Sequence, residues 1–215
     1  MGDTVRRPAK ANAPLVRTLL AELARRGFDA APRYLGRDEQ GREIFSYLAG
    51  DVPDELDAGL SDETLIAAAR LIRRYHDATA GSALAEGAEV VCHNDLSPCN
   101  FVFCGTTPVA VIDFDSAAPG ARSDDIAYAL FLWLNIGTDG PPAREQARRI
   151  RLFCAAYGVA DDVEIVDAIG AAVSRNIERL RDEGRLADVS WWQTQLQWVE
   201  LNRIELATGL SDLSD

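Results

Sequence analysis

The sequence predicts an α+β fold, in which a small sheet lobe is followed by a mainly helical lobe. Two observations lead to this prediction. Short runs of β-branched and aromatic residues, separated by turn residues, are concentrated before residue 114. After Asp125, apolar residues recur at the three- and four-residue spacing of helices that bury one face. We therefore expect a reduced sheet lobe over residues 1–50 and a helical lobe over residues 51–215.

The sheet lobe is expected to contain a strand, a helix and a hairpin, in that order. The strand is predicted at residues 4–8. Residues 14–26 carry leucines at helical spacing, and Gly27 follows as a C-cap signal. Residues 36–50 are predicted as a hairpin that continues into an acidic linker at residues 51–57.

The helical lobe begins with a helix predicted over residues 61–78. Ser61 is a favourable N-cap, and Asp62 and Glu63 suit the positive end of the helix dipole. Short strands are predicted next, at residues 90–92, 101–103 and 108–113. Further helices are predicted at residues 126–134, 141–157, 161–182 and 191–206. One buried face in the third of these is formed by Val166, Ile169, Val173, Ile177 and Leu180.

Length and composition limit the class of protein. A chain of 215 residues with 47% hydrophobic content can bury a substantial core. It contains no run of eighteen apolar residues and no signal-peptide pattern, so we expect a soluble cytoplasmic protein. The net charge of −12 argues against nucleic acid and anionic membranes as partners.

The charge is distributed unevenly along the chain. Residues 1–43 hold nine basic and six acidic residues, a net charge of +3, which leaves −15 for the rest. A basic small lobe suits an anionic ligand, and an acidic large lobe suits a cationic one. Acidic composition is also common among soluble proteins, so this distribution has an ordinary explanation as well.

The strongest functional signal is a set of three polar residues around residue 100. Asp95 lies two residues after His93, Asn100 five residues after Asp95, and Asp113 ends an apolar strand thirteen residues later. Phosphoryl transfer needs a carboxylate beside the acceptor hydroxyl and oxygen ligands that hold magnesium. The residue types and their spacing fit the catalytic segment of a kinase.

The pattern His-x-Asp-x-x-x-x-Asn followed by Ile-Asp-Phe-Asp resembles the aminoglycoside phosphotransferase and choline kinase superfamily. Asn94 and Asp115 stand where the protein-kinase template has Arg and Gly, which points to the small-molecule branch. The segments around His76 and Asp125 are also similar to that superfamily, and the likeness covers residues 4–134. The resemblance implies a protein-kinase-like fold and a small-molecule hydroxyl compound as the substrate.

The resemblance implies a role for each of these residues. Asp95 and His93 would be catalytic, although His93 is better suited to holding the loop backbone than to moving protons. Asn100 and Asp113 would bind Mg²⁺, and Asp115 would either join them or line the acceptor pocket. Asp125 would brace the catalytic loop. ATP would be the phosphoryl donor.

The nucleotide side departs from the superfamily pattern. No Gly-rich phosphate-covering loop precedes residue 4, and the position of the family's strand lysine falls on Arg6, or less well on Arg7. Lys10 is the only lysine, but it lies beyond Pro8. No acid is present near Arg17, where the helix partner of that lysine is expected. Adenine would contact the backbone of the hinge residues Phe45, Ser46, Tyr47 and Leu48.

These departures leave alternatives open. One is a catalytically impaired, kinase-like protein that acts as a binding or regulatory module. Another is that Met1 is not the natural start and that a longer protein has a full sheet lobe. A homodimer is also expected, because a second copy would cover the open edge of the strand at residues 4–8.

Overall fold

The computed structural model describes residues 3–54, 60–159 and 163–211, with side chains described up to residue 207 at the C-terminal end. The chain divides into two compact units. Unit 1 contains residues 1–55 and 70–122, and unit 2 contains residues 56–69 and 123–215. The last three residues of the predicted linker at 51–57 lie outside the described residues.

Unit 1 begins with an antiparallel sheet of three strands. They are β1 (Thr4–Arg7), β2 (Tyr34–Arg37) and β3 (Glu43–Ser46). Their order is β1-β3-β2, so β3 is central and pairs on both sides, whereas β1 is an edge strand. The expectation that a second copy covers the outer edge of β1 stays a prediction.

A helix, α1 (Ala13–Arg25), lies between β1 and β2 in the sequence. A proline in its first turn suits the helix start, and Leu19, Leu20 and Leu23 are buried along one face. The helix ends before Gly27, whose φ of 77° lies in the left-handed region that glycine adopts readily. The predicted helix at residues 14–26 is therefore confirmed.

Two small antiparallel pairs of strands also belong to unit 1. The first joins β4 (Val90–Cys92) to β7 (Ala118–Gly120), and the second joins β5 (Phe101–Cys104) to β6 (Thr107–Val111). The loop after β4 and the turn after β6 contain the residues that the sequence singled out. The β4–β7 pair brings the two ends of this segment together, because Cys92 lies opposite Ala118.

Helices form most of unit 2. Ser61 accepts a 3.2 Å hydrogen bond from the backbone of Thr64, which caps α2 (Asp62–Thr79). The boundary between the units falls within this helix, so its residues from Arg70 onward belong to unit 1. The other helices are α3 (Arg122–Trp133), α4 (Ala143–Tyr157), α5 (Val163–Asp182), α6 (Leu186–Leu201) and α7 (Arg203–Ser211). Within the described ranges, no helix is both long and apolar enough to cross a membrane.

The helix predictions for unit 2 hold with one correction. The predicted buried face of α5 is confirmed, because all five of its residues are at most 4% exposed. The single helix predicted at residues 191–206 is wrong, since the chain forms α6 and α7 with a break at Asn202. At this break the Asn202 side chain donates a 2.8 Å hydrogen bond to the Trp198 carbonyl, to which the Asn202 backbone N–H also donates at 3.0 Å.

The architecture confirms the predicted fold class, with a reduced sheet and a mainly helical remainder among the described residues. Asp125 is buried in the first turn of α3. Its proposed bracing of the catalytic loop stays a prediction.

Candidate active site

The loop after β4 is organised around His93, whose side chain is fully buried. Its Nδ1 accepts a 3.2 Å hydrogen bond from the backbone N–H of Asp95. The other ring nitrogen, Nε2, lies 3.0 Å from the Ile112 carbonyl oxygen and therefore carries the proton that is donated there. Both ring nitrogens contact backbone groups, which suits the predicted role of His93 in holding the loop backbone, and its catalytic role stays a prediction.

Asn100 ties the end of the same loop to Asp95 and to β6. Its Nδ2 donates a 2.8 Å hydrogen bond to the Asp95 carbonyl oxygen, and its own carbonyl accepts one of 2.9 Å from Ile112 N–H. Because the amide nitrogen is used in this way, the Oδ1 atom is the acceptor that the side chain can offer a ligand. Asp95, Asn100 and the residue before Asp113 thus form one hydrogen-bonded group.

Asp113 follows β6 in an unusual backbone conformation. Its φ and ψ are 61° and 62°, the left-handed region that non-glycine residues adopt at some energetic cost. Asn94 has a similar φ of 62°, and its side chain donates a 2.9 Å hydrogen bond to the Ser116 carbonyl. Two strained residues therefore lie on the two segments that carry the candidate catalytic carboxylates.

Two basic side chains contact the carboxylates that follow β6. Arg7 donates to both oxygens of Asp115, at 2.6 and 2.7 Å, and to Asp113 at 3.1 Å. The Lys10 ammonium lies 2.5 Å from Asp115 and 3.9 Å from Asp113. We call these four residues the cation–carboxylate cluster.

The cluster shifts the pKa values of its two acids in opposite directions. Burial raises the pKa of Asp113, and the hydrogen bond and charge of Asp115 raise it further. Burial opposes ionisation of Asp115 too, but hydrogen bonds from Arg7, Asp113 and Lys10 outweigh it and lower the pKa of Asp115 to about 2. Asp115 is therefore the more firmly ionised acid of the pair.

The structure corrects the predicted position of Arg6. Its guanidinium lies 3.9 Å from Asp38, whereas Arg7 reaches the carboxylates. Successive residues of a strand point to opposite faces, so a one-residue difference in register exchanges the two arginines. Sequence reasoning also missed Lys10, because no local pattern indicates a contact with a residue more than one hundred positions away.

An ion pair that the sequence did not indicate joins α1 to the sheet. Arg17 on α1 donates a 2.5 Å hydrogen bond to Glu43 on β3, and Glu43 is only 1% exposed. Glu43 is also the cross-strand neighbour of Arg7. The helix thus supplies a cation, at the place where the family pattern has an acid that pairs with the strand lysine.

An apolar cleft of about 280 Å³ adjoins the cluster, and Arg7 and Asp113 form part of its wall. All four predicted hinge residues, 45–48, line this cleft. The Ser46 and Tyr47 backbone N–H groups, however, already donate to the carbonyls of Arg33 and Asp3, both at 2.9 Å. Because both N–H groups already donate to carbonyls of the protein, these two donors are not available to a base.

The oxygen donors at the site suit a hard cation. Asn100 offers an amide oxygen and Asp113 a carboxylate, which are ligands that magnesium accepts while it keeps water and phosphate oxygens. Among the described ranges, no group of three or more His, Cys, Asp or Glu residues is arranged to hold a metal. The residues present therefore fit magnesium delivered with a nucleotide better than a metal held by protein ligands alone.

The chain has the fold of kinase-like phosphotransferases, and part of it matches a family model. Residues 78–163 match the model of the Phosphotransferase enzyme family, and this segment contains His93, Asp95, Asn100, Asp113 and Asp115. The match and the fold confirm the predicted resemblance to the aminoglycoside phosphotransferase and choline kinase superfamily.

Solved structures with the same fold include two phosphotransferases. The GDP and kanamycin complex of APH(2″)-IIia aligns with 95% of this chain and 88% of its own, with a TM-score of 0.59 and 16% identity. The macrolide 2′-phosphotransferase MphH from Brachybacterium faecium aligns with 91% of this chain and 84% of its own, with a TM-score of 0.60 and 16% identity. At such identities the likeness concerns the fold alone.

One curated relative is named as an immunity protein and not as a phosphotransferase. The trifolitoxin immunity protein of Rhizobium leguminosarum bv. trifolii is 30% identical over 166 residues, which cover 66% of this chain. The alignment covers 63% of that relative, so this chain spans less than two thirds of its length.

Proposed function

We propose that the protein is a magnesium- and nucleotide-dependent phosphotransferase that acts on a hydroxyl group of a small molecule. The observation that carries this proposal is the hydrogen-bonded group formed by His93, Asp95, Asn100 and Ile112. It fixes the Asp95 backbone, the Asn100 side chain and the strand end that leads to Asp113. Asp95, Asn100 and Asp113 carry the three oxygen-bearing groups that phosphoryl transfer requires.

Each residue has a distinct task in this reaction. A bound magnesium nucleotide would supply the phosphoryl group, and the metal would neutralise its oxygens. The Asp95 carboxylate would accept a hydrogen bond from the acceptor hydroxyl and take its proton as the new P–O bond forms and the bond between the terminal phosphorus and the bridging oxygen breaks, which releases the nucleoside diphosphate. Asn100 Oδ1 and the Asp113 carboxylate would hold the magnesium. His93 keeps the loop in place through its two backbone hydrogen bonds.

The apolar cleft beside Asp113 is the proposed site of the nucleotide base. Val5, Val16, Leu20 and Phe45 are among the apolar residues that line it, which suits the flat faces of a purine. Since Ser46 and Tyr47 do not offer their N–H groups, the base would take hydrogen bonds from the backbone after Tyr47. ATP is the proposed donor, and GTP is tested beside it because one structural neighbour is a GDP complex.

The acceptor is proposed only as a class. Structural neighbours include a complex with kanamycin and a macrolide phosphotransferase, and both of those ligands carry several hydroxyl groups. An aminoglycoside, choline, homoserine, a sugar or a macrolide is each compatible with Asp95 as the acceptor-side carboxylate. A cationic acceptor would suit the acidic remainder of the chain.

The test is transfer of the terminal phosphoryl group from labelled ATP or GTP, with magnesium, to a panel of these acceptors. Wild-type protein should label at least one acceptor, and Asp95→Asn should not. Binding of the magnesium nucleotide, measured by calorimetry, should be the same in both proteins. Absence of nucleotide binding by the wild-type protein would contradict the proposal.

A kinase-like binding protein without transferase activity is the second candidate. Two observations favour it. Arg7 and Lys10 lie 3.1 and 3.9 Å from the Asp113 carboxylate on which the metal would depend, and a relative covering 66% of this chain is named an immunity protein. Nucleotide binding without transfer to any acceptor, and without slow nucleotide hydrolysis, would support this candidate over the enzyme.

A further inference from the structure

We propose that Arg7 and Lys10 form a clamp for the phosphate chain of the nucleotide, and that Asp115 positions this clamp instead of binding the metal. The inference rests on the proposed function and adds two residues to the nucleotide site. It also separates the roles of two acids that the sequence placed together as metal ligands.

Both carboxylate oxygens of Asp115 are used by the basic side chains. Oδ1 accepts from Arg7 Nη2, and Oδ2 accepts from Arg7 Nη1 and lies 2.5 Å from the Lys10 ammonium. The side chain is only 14% exposed. Asn12 donates 3.0 Å hydrogen bonds to the Asp115 and Ala117 carbonyls, which fixes the backbone beneath it. A two-point Arg–carboxylate pair of this kind sets an orientation as well as a distance.

Asp113 is more exposed than Asp115 and contacts the two cations through one oxygen only. Its side chain is 40% exposed, and only its Oδ1 atom contacts the cations, at the longer distances of 3.1 and 3.9 Å. Asp113 is also the acid whose preceding residue is bound to Asn100. It can therefore offer an oxygen to a metal without giving up a two-point ion pair.

The clamp lies where phosphates would leave the apolar cleft. Arg7 lines the cleft, and its guanidinium carbon lies 5.1 Å from the centre of the Phe45 ring in the cleft wall. A guanidinium has five N–H donors, and Arg7 makes three hydrogen bonds within the described part of the chain. The Lys10 side chain is 56% exposed, so its ammonium can face a ligand while one hydrogen still contacts Asp115.

Charge supports the same division of roles. Arg7 and Lys10 balance Asp113 and Asp115, so the cluster alone is neutral. A magnesium ion on Asp113 and Asn100 would give the site a net charge of +2, which favours a polyphosphate anion. If Asp115 were also a metal ligand, the two cations would lose the acid that orients them.

A magnesium titration of ATP binding separates the roles of the two acids. Asp113→Asn should raise the magnesium concentration needed for half-maximal binding by about tenfold, as expected for loss of a ligand. Asp115→Asn should leave that concentration within about twofold and weaken binding at saturating magnesium by about tenfold. Equal magnesium shifts in the two variants would make Asp115 a metal ligand and overturn the inference.

Inorganic tripolyphosphate with magnesium tests the clamp without a base or an acceptor. Arg7→Met and Lys10→Met should each weaken its binding about tenfold, and Arg7→Lys should keep part of it. Arg6→Met is the matched control, because that neighbouring arginine contacts Asp38, and it should bind normally. Asp115→Asn should have little further effect in the Lys10→Met, Arg7→Met background.

The outcomes distinguish this inference from the proposed function. Tripolyphosphate binding with no transfer to any acceptor would refute the enzyme and leave the clamp standing. No tripolyphosphate binding by a folded wild-type protein would refute the clamp whether or not transfer occurs. Tighter binding by Asp115→Asn would show that this acid only neutralises the cations, which would overturn its positioning role.

Discussion

The loop around His93 and the cation–carboxylate cluster hold the candidate site by different forces. His93 is fully buried, and its hydrogen bonds join neutral groups of the same unit. The cluster is held by charges, and its Arg7 and Lys10 side chains are 26% and 56% exposed. Hydrogen bonds in a buried site are little affected by salt, whereas exposed ion pairs are screened by it.

This difference shows how one site can hold some residues in fixed positions and still leave basic side chains accessible to a ligand. The loop must keep Asp95 and Asn100 in fixed positions, because small displacements of reacting groups reduce rates strongly. In the proposed clamp, Arg7 and Lys10 keep their contacts with Asp115 while their remaining N–H donors reach the phosphates. Partly exposed side chains leave those donors accessible to a ligand, whereas buried backbone hydrogen bonds would not.

The largest expected effect comes from Asp95→Asn, which tests whether the rigid loop serves chemistry. The loop uses only the backbone N–H and C=O of Asp95, so this substitution leaves the fold intact. Phosphoryl transfer should fall by about 10²- to 10⁴-fold in steady-state assays. The exposed Glu39→Gln is the control and should retain full activity. A decrease of less than threefold would remove Asp95 from the mechanism.

The second largest expected effect is on stability, when the two hydrogen bonds that His93 makes to the loop backbone are removed. His93→Ala removes a buried ring and leaves two backbone groups without their partner, which should lower the free energy of unfolding by about 3 kcal/mol. Urea denaturation measures this change. Cys104→Ala, at an exposed position on β5, should change stability by less than about 0.5 kcal/mol. Equal stability of His93→Ala and wild type would show that the loop is held by other contacts.

Measuring stability as a function of pH distinguishes Asp115 from Asp113 within the cation–carboxylate cluster. The pKa of Asp115 is lowered to about 2, so its stabilising contribution is present above its ordinary pKa of 3.8 and is lost as pH falls from about 4 to 2. Asp115→Asn should therefore destabilise the protein by about 1 kcal/mol at pH 7, with solvent screening included. This difference should shrink steadily below pH 4 in urea denaturation experiments.

The ionised form of Asp113 has the opposite effect on stability from that of Asp115. Its raised pKa means that the folded state binds a proton more readily than the unfolded state, so the ionised form costs stability above the raised pKa. Asp113→Asn removes that cost and should not destabilise the protein at pH 7. Destabilisation of the same size in both variants would show that the two acids are equivalent.

The smallest effect is salt dependence. A double-mutant cycle of Arg7→Met and Asp115→Asn should give a coupling of about 1 kcal/mol at low salt and less than half of it in 1 M NaCl. The destabilisation caused by His93→Ala should stay the same at both salt concentrations. A coupling that does not change with salt would mean that the cluster is shielded from solvent like the loop.

Local sequence patterns predicted much of this protein. The leucines of α1 and the apolar residues of α5 follow helical spacing, so the spacing alone was enough to locate both helices. The spacing of Asp95, Asn100 and Asp113 indicated the resemblance to the phosphotransferase family, because a motif with fixed separations can be read directly from the chain. Asn202 shows the limit of such patterns, since no local pattern indicated the break at this residue between α6 and α7.

The sequence by itself determined the fold class and the motif that resembles the phosphotransferase family. Helices, short strands and motif spacing are local features, so they can be read from residues that are close together in the chain. Only the tertiary structure decided which basic residues meet the carboxylates, with Arg7 and Lys10 in place of Arg6. It also decided that Arg17 pairs with Glu43 and that the Ser46 and Tyr47 donors are occupied. These contacts depend on strand register and on the pairing of distant segments, which no local spacing records.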